Sequence, residues 1–247
     1  MNNELNKRTM KVIEKTQMTS NTFLIKLESD SNLPPFKSCC HVLIYDDKNN
    51  SRPYSPLFGN TKHLTFAIKE YPKGNLSKYI CSKNINDEIL VSDIMLKREN
   101  KPNEFKNVLM IAGGTGITPI YQMLYESLSH DFNTTDYTLL FLNKTKNDIF
   151  LLPQLERLKK KSNGKLHIIH VLSQETTAPE SHQVCGKLTK DSLLTITHSK
   201  LFEFVFICGT PSLYETFSGR KISRTEQGPL TGILADIGYN EKQVYKL

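Results

Sequence analysis

A run of roughly 18 consecutive apolar residues, the least that a bilayer-crossing helix needs, occurs nowhere in the 247 residues. The first 30 residues mix charge with short apolar stretches and lack a signal-peptide core, so no leader is expected. Position 2 is Asn2 rather than glycine, and the chain ends in Lys246 and Leu247; neither N-myristoylation nor C-terminal prenylation is expected. Cysteine is sparse and odd in number: Cys39, Cys40, Cys81, Cys185 and Cys208, with no C-x-x-C pair. That argues against a disulfide framework and against a zinc or iron–sulfur site, and it fits a reducing, cytoplasmic compartment. No metal is expected. Also missing is a long basic run interleaved with aromatics, so nucleic acid is not the expected partner.

What is present is length enough for two domains of roughly 100 to 150 residues, or for one large one, and a hydrophobic fraction of 38% that argues against wholesale disorder. The charge is uneven. Residues 1–103 carry 16 Lys+Arg against 11 Asp+Glu, and residues 104–247 carry 16 against 14, so the first half favours an acidic partner or an anionic ligand. In that half "TFLIKLES", "CHVLIYD", "HLTFAIKEY" and "DEILVSDI" read as strands bounded by turn formers, with one short helix at "NLSKYICS". This predicts a small antiparallel β-barrel over 1–103. After the polar stretch "KRENKPNEFKN" the rhythm changes. Strands "VLMIA", "YTLLFLN", "LHIIHVL" and "FVFICG" alternate with helices at "IYQMLYESLS", "DIFLLPQLERLKKK" and "DSLLTIT". Near-continuous apolar strands alternating with helices predict a doubly wound parallel sheet over 104–247. The segment "SGRKISRTEQGPLTG", residues 218–232, reads as a long loop.

Three segments have the composition of binding sites. "SRPYSP" sets Arg52, Pro53, Tyr54 and Ser55 in a stiff stretch: a fork for phosphate, a flat face for an aromatic ring and a hydroxyl for a ring heteroatom. "YPKGNLSKYI" puts Tyr71, Gly74, Asn75, Leu76 and Ser77 at the entrance to a helix, where backbone N–H groups and a hydroxyl can hold a phosphate. "VLMIAGGTGITP" carries Gly113, Gly114, Thr115 and Thr118 from a buried strand into a helix, with Pro119 where the usual dinucleotide fingerprint has a small residue. A fourth, "FICGTP", places Cys208 and Gly209 at the carboxyl end of a later strand, where ligands of such sheets bind. Each has a plain alternative: an exposed arginine, a packed tyrosine, a serine cap, a tight turn, a core cysteine.

Taken together, and in this order, these segments with "FLNKTKNDIFLLPQLERL" resemble the ferredoxin reductase-like flavoproteins, and among them the NADH-cytochrome b5 reductases. The resemblance runs from about Thr22 to the C-terminus. It implies a flavin-binding barrel followed by a pyridine-nucleotide domain, with FAD and NADH or NADPH as cofactors. By motif match, Arg52 would hold the FAD pyrophosphate, Tyr54 would lie against the flavin, and Ser55 would stand near the hydride-accepting nitrogen. Lys69, with its neighbour Ile68 in "AIKEY", matches a lysine associated with the nicotinamide nucleotide. Gly74, Leu76 and Ser77 match a second phosphate-binding turn, and Thr115 and Thr118 match threonines lining the two cofactor sites. Cys208 and Gly209 match the pair beside the nicotinamide.

The chain also departs from the pattern. Cys39 and Cys40 replace the two residues that the family commonly has before His41, and Ser173 with Gln174 in "VLSQE" stands where an acidic residue favours NADH. Without that carboxylate NADPH is not excluded, and Arg220, Lys221 and Arg224 of the long loop are cations that could meet a 2′-phosphate. The implied activity is hydride transfer from NAD(P)H to FAD, then single-electron transfer to an acidic carrier such as cytochrome b5. His41, Ser55 and Cys208 are the residues expected nearest the chemistry. A non-catalytic flavin- and nucleotide-binding module, and a reductase of quinones or ferric chelates, are the alternatives.

Overall fold

A computed structural model describes residues 6–176 and 182–247; Asn2 lies outside them. Two compact units emerge, Met1–Asn100 with Tyr121–Glu126, and Lys101–Ile120 with Ser127–Leu247.

The first unit holds eight strands: β1 (Lys7–Thr19), β2 (Thr22–Ser29), β3 (Cys40–Tyr45), β4 (Ser51–Tyr54), β5 (Phe58–Gly59), β6 (His63–Lys69), β7 (Glu88–Ser92) and β8 (Met95–Leu96), with helix α1 (Asn75–Ser82) between β6 and β7. They pair antiparallel in the order β4-β3-β7-β1-β2-β6-β5, and β8 adds to β3. The two ends of this path, β4 and β5, are consecutive in the chain, so residues 55–57 join one edge of the sheet to the other. The result is barrel-like, as expected. Alternation fills its interior: Val12, Ile25, Leu27, Val42, Ile44, Phe66, Ile68, Ile89 and Val91 form one buried cluster, as period-2 side chains on a curved sheet should.

The second unit carries β9 (Asn107–Gly113), α2 (Ile117–Ser129), β10 (Asp136–Asn143), α3 (Leu152–Lys161), β11 (Leu166–Leu172), β12 (Gln183–Cys185), α4 (Lys190–Ile196), β13 (Phe204–Cys208), α5 (Pro211–Phe217), α6 (Gly232–Asp236) and β14 (Val244–Lys246). The Tyr121–Glu126 turns of α2 belong to the first unit. The six strands are all parallel, in the order β12-β11-β10-β9-β13-β14. From β9 the chain winds outward on one side and then returns to wind on the other, which is the doubly wound arrangement. Val108 to Ala112 are all buried, because helices cover both faces of a parallel sheet.

Helix α3 starts four residues later than its apolar pattern predicts. A capping box between Thr145 and Asp148 closes a 3₁₀ turn over Lys146–Asp148, and Leu151 takes a left-handed φ of 63° before the helix starts at Leu152 with Pro153 in its first turn. The long loop is also better anchored than its composition predicts. Lys246, 1% exposed, aims its ammonium at the carbonyls of Gln227 (2.8 Å), Pro229 (2.9 Å), Gly228 (3.3 Å) and Arg220 (3.4 Å). The Gln227 amide accepts from the Lys246 N–H at 2.7 Å and donates to its carbonyl at 3.1 Å. No helix among the described residues is long and apolar enough to cross a membrane.

Candidate functional site

In the first unit the β3–β4 hairpin and the entrance to α1 enclose a cavity of about 520 Å³. Arg52 and Tyr54 of β4 line it together with Tyr71, Gly74, Asn75, Leu76 and Ser77, which precede and open α1. Seven residues singled out by the two sequence motifs thus share one wall. Asp46, Asn50, Ser51 and Lys73 complete the lining; Ser51 and Lys73 fall inside the two motifs without being singled out, and Asp46 and Asn50 fall outside them. Their signal was local: Asp46 and Asn50 build the hairpin turn. The Asn50 side-chain amide bonds the Asp46 carboxylate at 3.0 Å and holds it below the usual carboxylate range.

Charge and backbone in this cavity suit an extended anion. Arg52 makes one hydrogen bond, from Nη1 to the carbonyl of Ser51 at 2.9 Å, which leaves most of its planar fork available. Lys73 adds a second exposed cation. Helix α1 has Gly74 at its N-cap and no side-chain cap, so its first N–H groups remain to be satisfied by a ligand or solvent. A Cβ on Gly74 would run into the Ser77 hydroxyl and come within 3.0 Å of Tyr71 Cβ; the turn is as tight as a backbone cradle requires. The Ser77 hydroxyl itself accepts from the Tyr71 N–H at 3.2 Å. Tyr54 packs one side on the barrel core, and burial pushes its hydroxyl up to about 12, so it stays neutral through the physiological range.

The other candidates in this unit lie on neighbouring backbone. Pro53 pairs with Leu43, His41 pairs with Met95, and half-buried Ser55 follows the end of β4. Lys69 ends β6, while Ile68 is turned wholly into the core. A residue not found from sequence is Gln122, on the α2 turn that belongs to this unit. Its amide is buried against Cys40 and Pro56.

In the second unit the carboxyl ends of β9 and β13 lie side by side, Cys208 pairing with Ala112. This is where the winding direction reverses, the usual crevice of such sheets. Gly113 leads into a 3₁₀ turn, Gly114–Gly116, and α2 follows. Gly116 is packed so closely on β13 that a Cβ there would fall on the Cys208 carbonyl and 2.8 Å from Gly209 Cα. Gly114, at φ +52°, faces open space, so the turn presents bare backbone outward. Thr115 is half-buried in this turn, and the Thr118 hydroxyl bonds back to the Thr115 carbonyl at 3.0 Å. Beside Cys208 lies Tyr214 of α5, whose hydroxyl contacts the thiol and bonds the Leu247 carbonyl at 2.7 Å. Burial, and then the thiol, drive its pKa upward. Ser173 follows β11, exposed, and donates its N–H to the Asn143 carbonyl at 3.0 Å. Asn143, at the carboxyl end of β10, is 8% exposed and its Nδ2 has no hydrogen-bond partner. An orphaned buried donor at a strand's carboxyl end fits a polar ligand. His41 and Ser55 belong to the first unit and Cys208 to the second.

Comparison with known proteins gives four findings. A family model described as an oxidoreductase NAD-binding domain matches residues 110–218. NADH-cytochrome b5 reductase 2 of Candida albicans is 31% identical over 96% of this chain and 81% of its own length. The protein of that name from Ajellomyces capsulatus is 32% identical over 81% of this chain and 64% of its own. Among solved structures, the cytochrome b5 reductase domain of Ulva prolifera nitrate reductase superposes with a TM-score of 0.79 at 21% identity, over 98% of this chain and 97% of the other.

Proposed function

The chain belongs to the NADH-cytochrome b5 reductase family, and from that premise we propose that it is an FAD-dependent oxidoreductase. It takes a hydride from NADH or NADPH and passes electrons singly to a separate acceptor, cytochrome b5 foremost. The observation that carries this reading is the shared cavity of the first unit, where Arg52 and Tyr54 meet the Gly74–Ser77 turn. FAD, when bound, supplies the exchange between two-electron and one-electron chemistry. The chain's own residues bind and orient. Arg52, Lys73 and the N-terminus of α1 hold the pyrophosphate, and the Tyr54 ring, rigid against the core, supports the flavin. Ser55 and His41 offer hydrogen bonds near the reacting edge.

The second unit supplies the nucleotide's side of the reaction. The outward backbone of Gly113–Gly116 approaches the dinucleotide, Cys208 and Gly209 border the nicotinamide, and Ser173 meets the adenosine ribose. Tyr214 fixes the Cys208 side chain. Domain assignment follows: flavin binding to residues 1–103 and nucleotide binding to 104–247, in a reducing, cytoplasmic setting that suits five cysteines outside any disulfide. The excess of cations in residues 1–103 favours an acidic electron carrier, through a weak, salt-sensitive encounter. The test is the visible spectrum of the purified protein under nitrogen, followed while NADH and NADPH are added separately. Bleaching of a flavin band is expected. A protein that takes up no FAD, or whose flavin neither nucleotide bleaches, would refute the proposal.

A further inference from the structure

The β3–β4 ladder ends at Val42↔Tyr54. Continued in the same register, it would set His41 opposite Ser55 and Cys40 opposite Pro56. It does not continue, for two reasons. Pro56 has no N–H to give, and the Leu57 N–H bonds the Thr65 carbonyl of β6 at 2.6 Å, so the chain has already left β3 for the opposite edge of the sheet. Ser55 sits at the fork.

Into this fork comes the side chain of Gln122, 2% exposed. Its Oε1 accepts from the Cys40 N–H at 2.9 Å, and its Nε2 donates to the Cys40 carbonyl at 3.2 Å and to the Pro56 carbonyl. A side-chain amide thus stands in for the missing strand rung and satisfies three backbone groups that the fork would leave bare. The same helical turn packs Tyr121 and Tyr125 edge-on to Phe58 at 5.7 and 5.6 Å, which clamps the far side of the crossing. The amide is tied to the residue before His41 and to the residue after Ser55.

We propose that Gln122 is a positioning residue for flavin reduction: it holds the β3–β4 fork at the width that places Ser55 and His41 against the flavin. This rests on the functional reading above. Because hydride transfer is steeply sensitive to the placing of the groups around it, a change in the fork is read as a change in rate rather than in nucleotide affinity.

The test is a double-mutant cycle on the FAD-loaded protein. Gln122→Met keeps the length and removes the amide. Anaerobic bleaching by NADH should slow by about tenfold in the wild-type background and by less than about threefold beside Ser55→Ala, with the half-saturating NADH concentration unchanged. Equal slowing in both backgrounds would overturn the proposal. A second readout needs no turnover: in FAD-free protein the Cys40 amide should exchange about tenfold faster in Gln122→Met, and unchanged exchange would also overturn it. If Gln122→Met does not fold, Gln122→Glu keeps the acceptor for Cys40 and loses the donor to Pro56, and the same cycle applies. Wild-type flavin that neither NADH nor NADPH bleaches would be seen before any variant is made; it would refute the functional reading, and this inference with it.

Discussion

Replacing Gly116 with alanine sets two effects of opposite sign against each other. Gly116 has φ −60° and ψ −11°, in the right-handed helical region, where alanine is at ease and stiffens the unfolded chain by about 0.4–1 kcal/mol in favour of folding. Against this, the new methyl would fall on the Cys208 carbonyl and lie 2.8 Å from Gly209 Cα, some 0.7 Å inside an ordinary carbon contact of about 3.5 Å. Both obstacles are backbone. Cys208 cannot retreat without breaking the rung to Ala112, so relief must come from the turn itself, at the about 1–3 kcal/mol typical of overpacking. Taken at mid-range, about 2 against about 0.7, the clash wins by about 1.3 kcal/mol, which lowers Tm by about 3–5 °C in a chain of this size. Thermal unfolding followed by circular dichroism measures it, with NADH titration of the flavin band as a second readout. A Gly116→Ala protein that melts at or above the wild-type temperature would show that the glycine is not there for close approach.

Other outcomes follow from the same geometry. Arg52→Ala should weaken FAD binding by about ten- to a hundredfold, the worth of a charge-assisted contact, with little change in Tm of the FAD-free protein; equilibrium dialysis measures it. Ser173→Asp should raise the NADH to NADPH ratio of kcat/KM by at least about fivefold through repulsion of a 2′-phosphate, and an unchanged ratio removes Ser173 from the selectivity site. Lys246→Met leaves the carbonyls of the 218–232 loop without their cation, so that loop should become sensitive to limited proteolysis, at a cost of about 1–3 kcal/mol. The folded-state pKa of Tyr54 is raised by burial to about 12, above the ordinary tyrosine value of about 10. The stability tied to its neutral hydroxyl is whole below pH 10 and is lost as pH rises through 12. Tyr54→Phe should remove that part of the alkaline loss in urea titrations.

Much of this was legible in the sequence because local chemistry and tertiary environment agree. The glycines of Gly113–Gly116 mark a turn between strand and helix, and the helix "NLSKYICS" begins and ends where α1 does. The runs "VLMIA" and "LHIIHVL" have the continuous apolarity of strands buried on both faces. What was not legible depends on partners far apart in the chain. Strand β1 carries five charged residues, Lys7, Arg8, Lys11, Glu14 and Lys15, at no regular alternation, and is held by β2 and β7 on either side. Its pattern alone did not mark it. Gln122 reads as a polar residue in a largely apolar stretch of helix until Cys40, 82 positions away, is brought to it. Lys246 looks like a solvated lysine until the loop folds over it, and Tyr214 gave no sign of its contact with Cys208.

The amide of Gln227 has a bearing on how this protein behaves in company. In the β13–β14 ladder the Leu247 N–H faces β13, bonding the Ile207 carbonyl at 2.9 Å, so the N–H and carbonyl of Lys246 face outward on the last strand of the sheet. An open parallel sheet that ends this way invites a neighbour's strand to add on, and repeated addition makes filaments. Gln227 occupies both outward groups, and the lysine's own side chain keeps the segment that bears Gln227 in place. The guard and the strand it guards are thus fastened by one residue, and losing Lys246 would expose a template for self-association as well as loosen a loop.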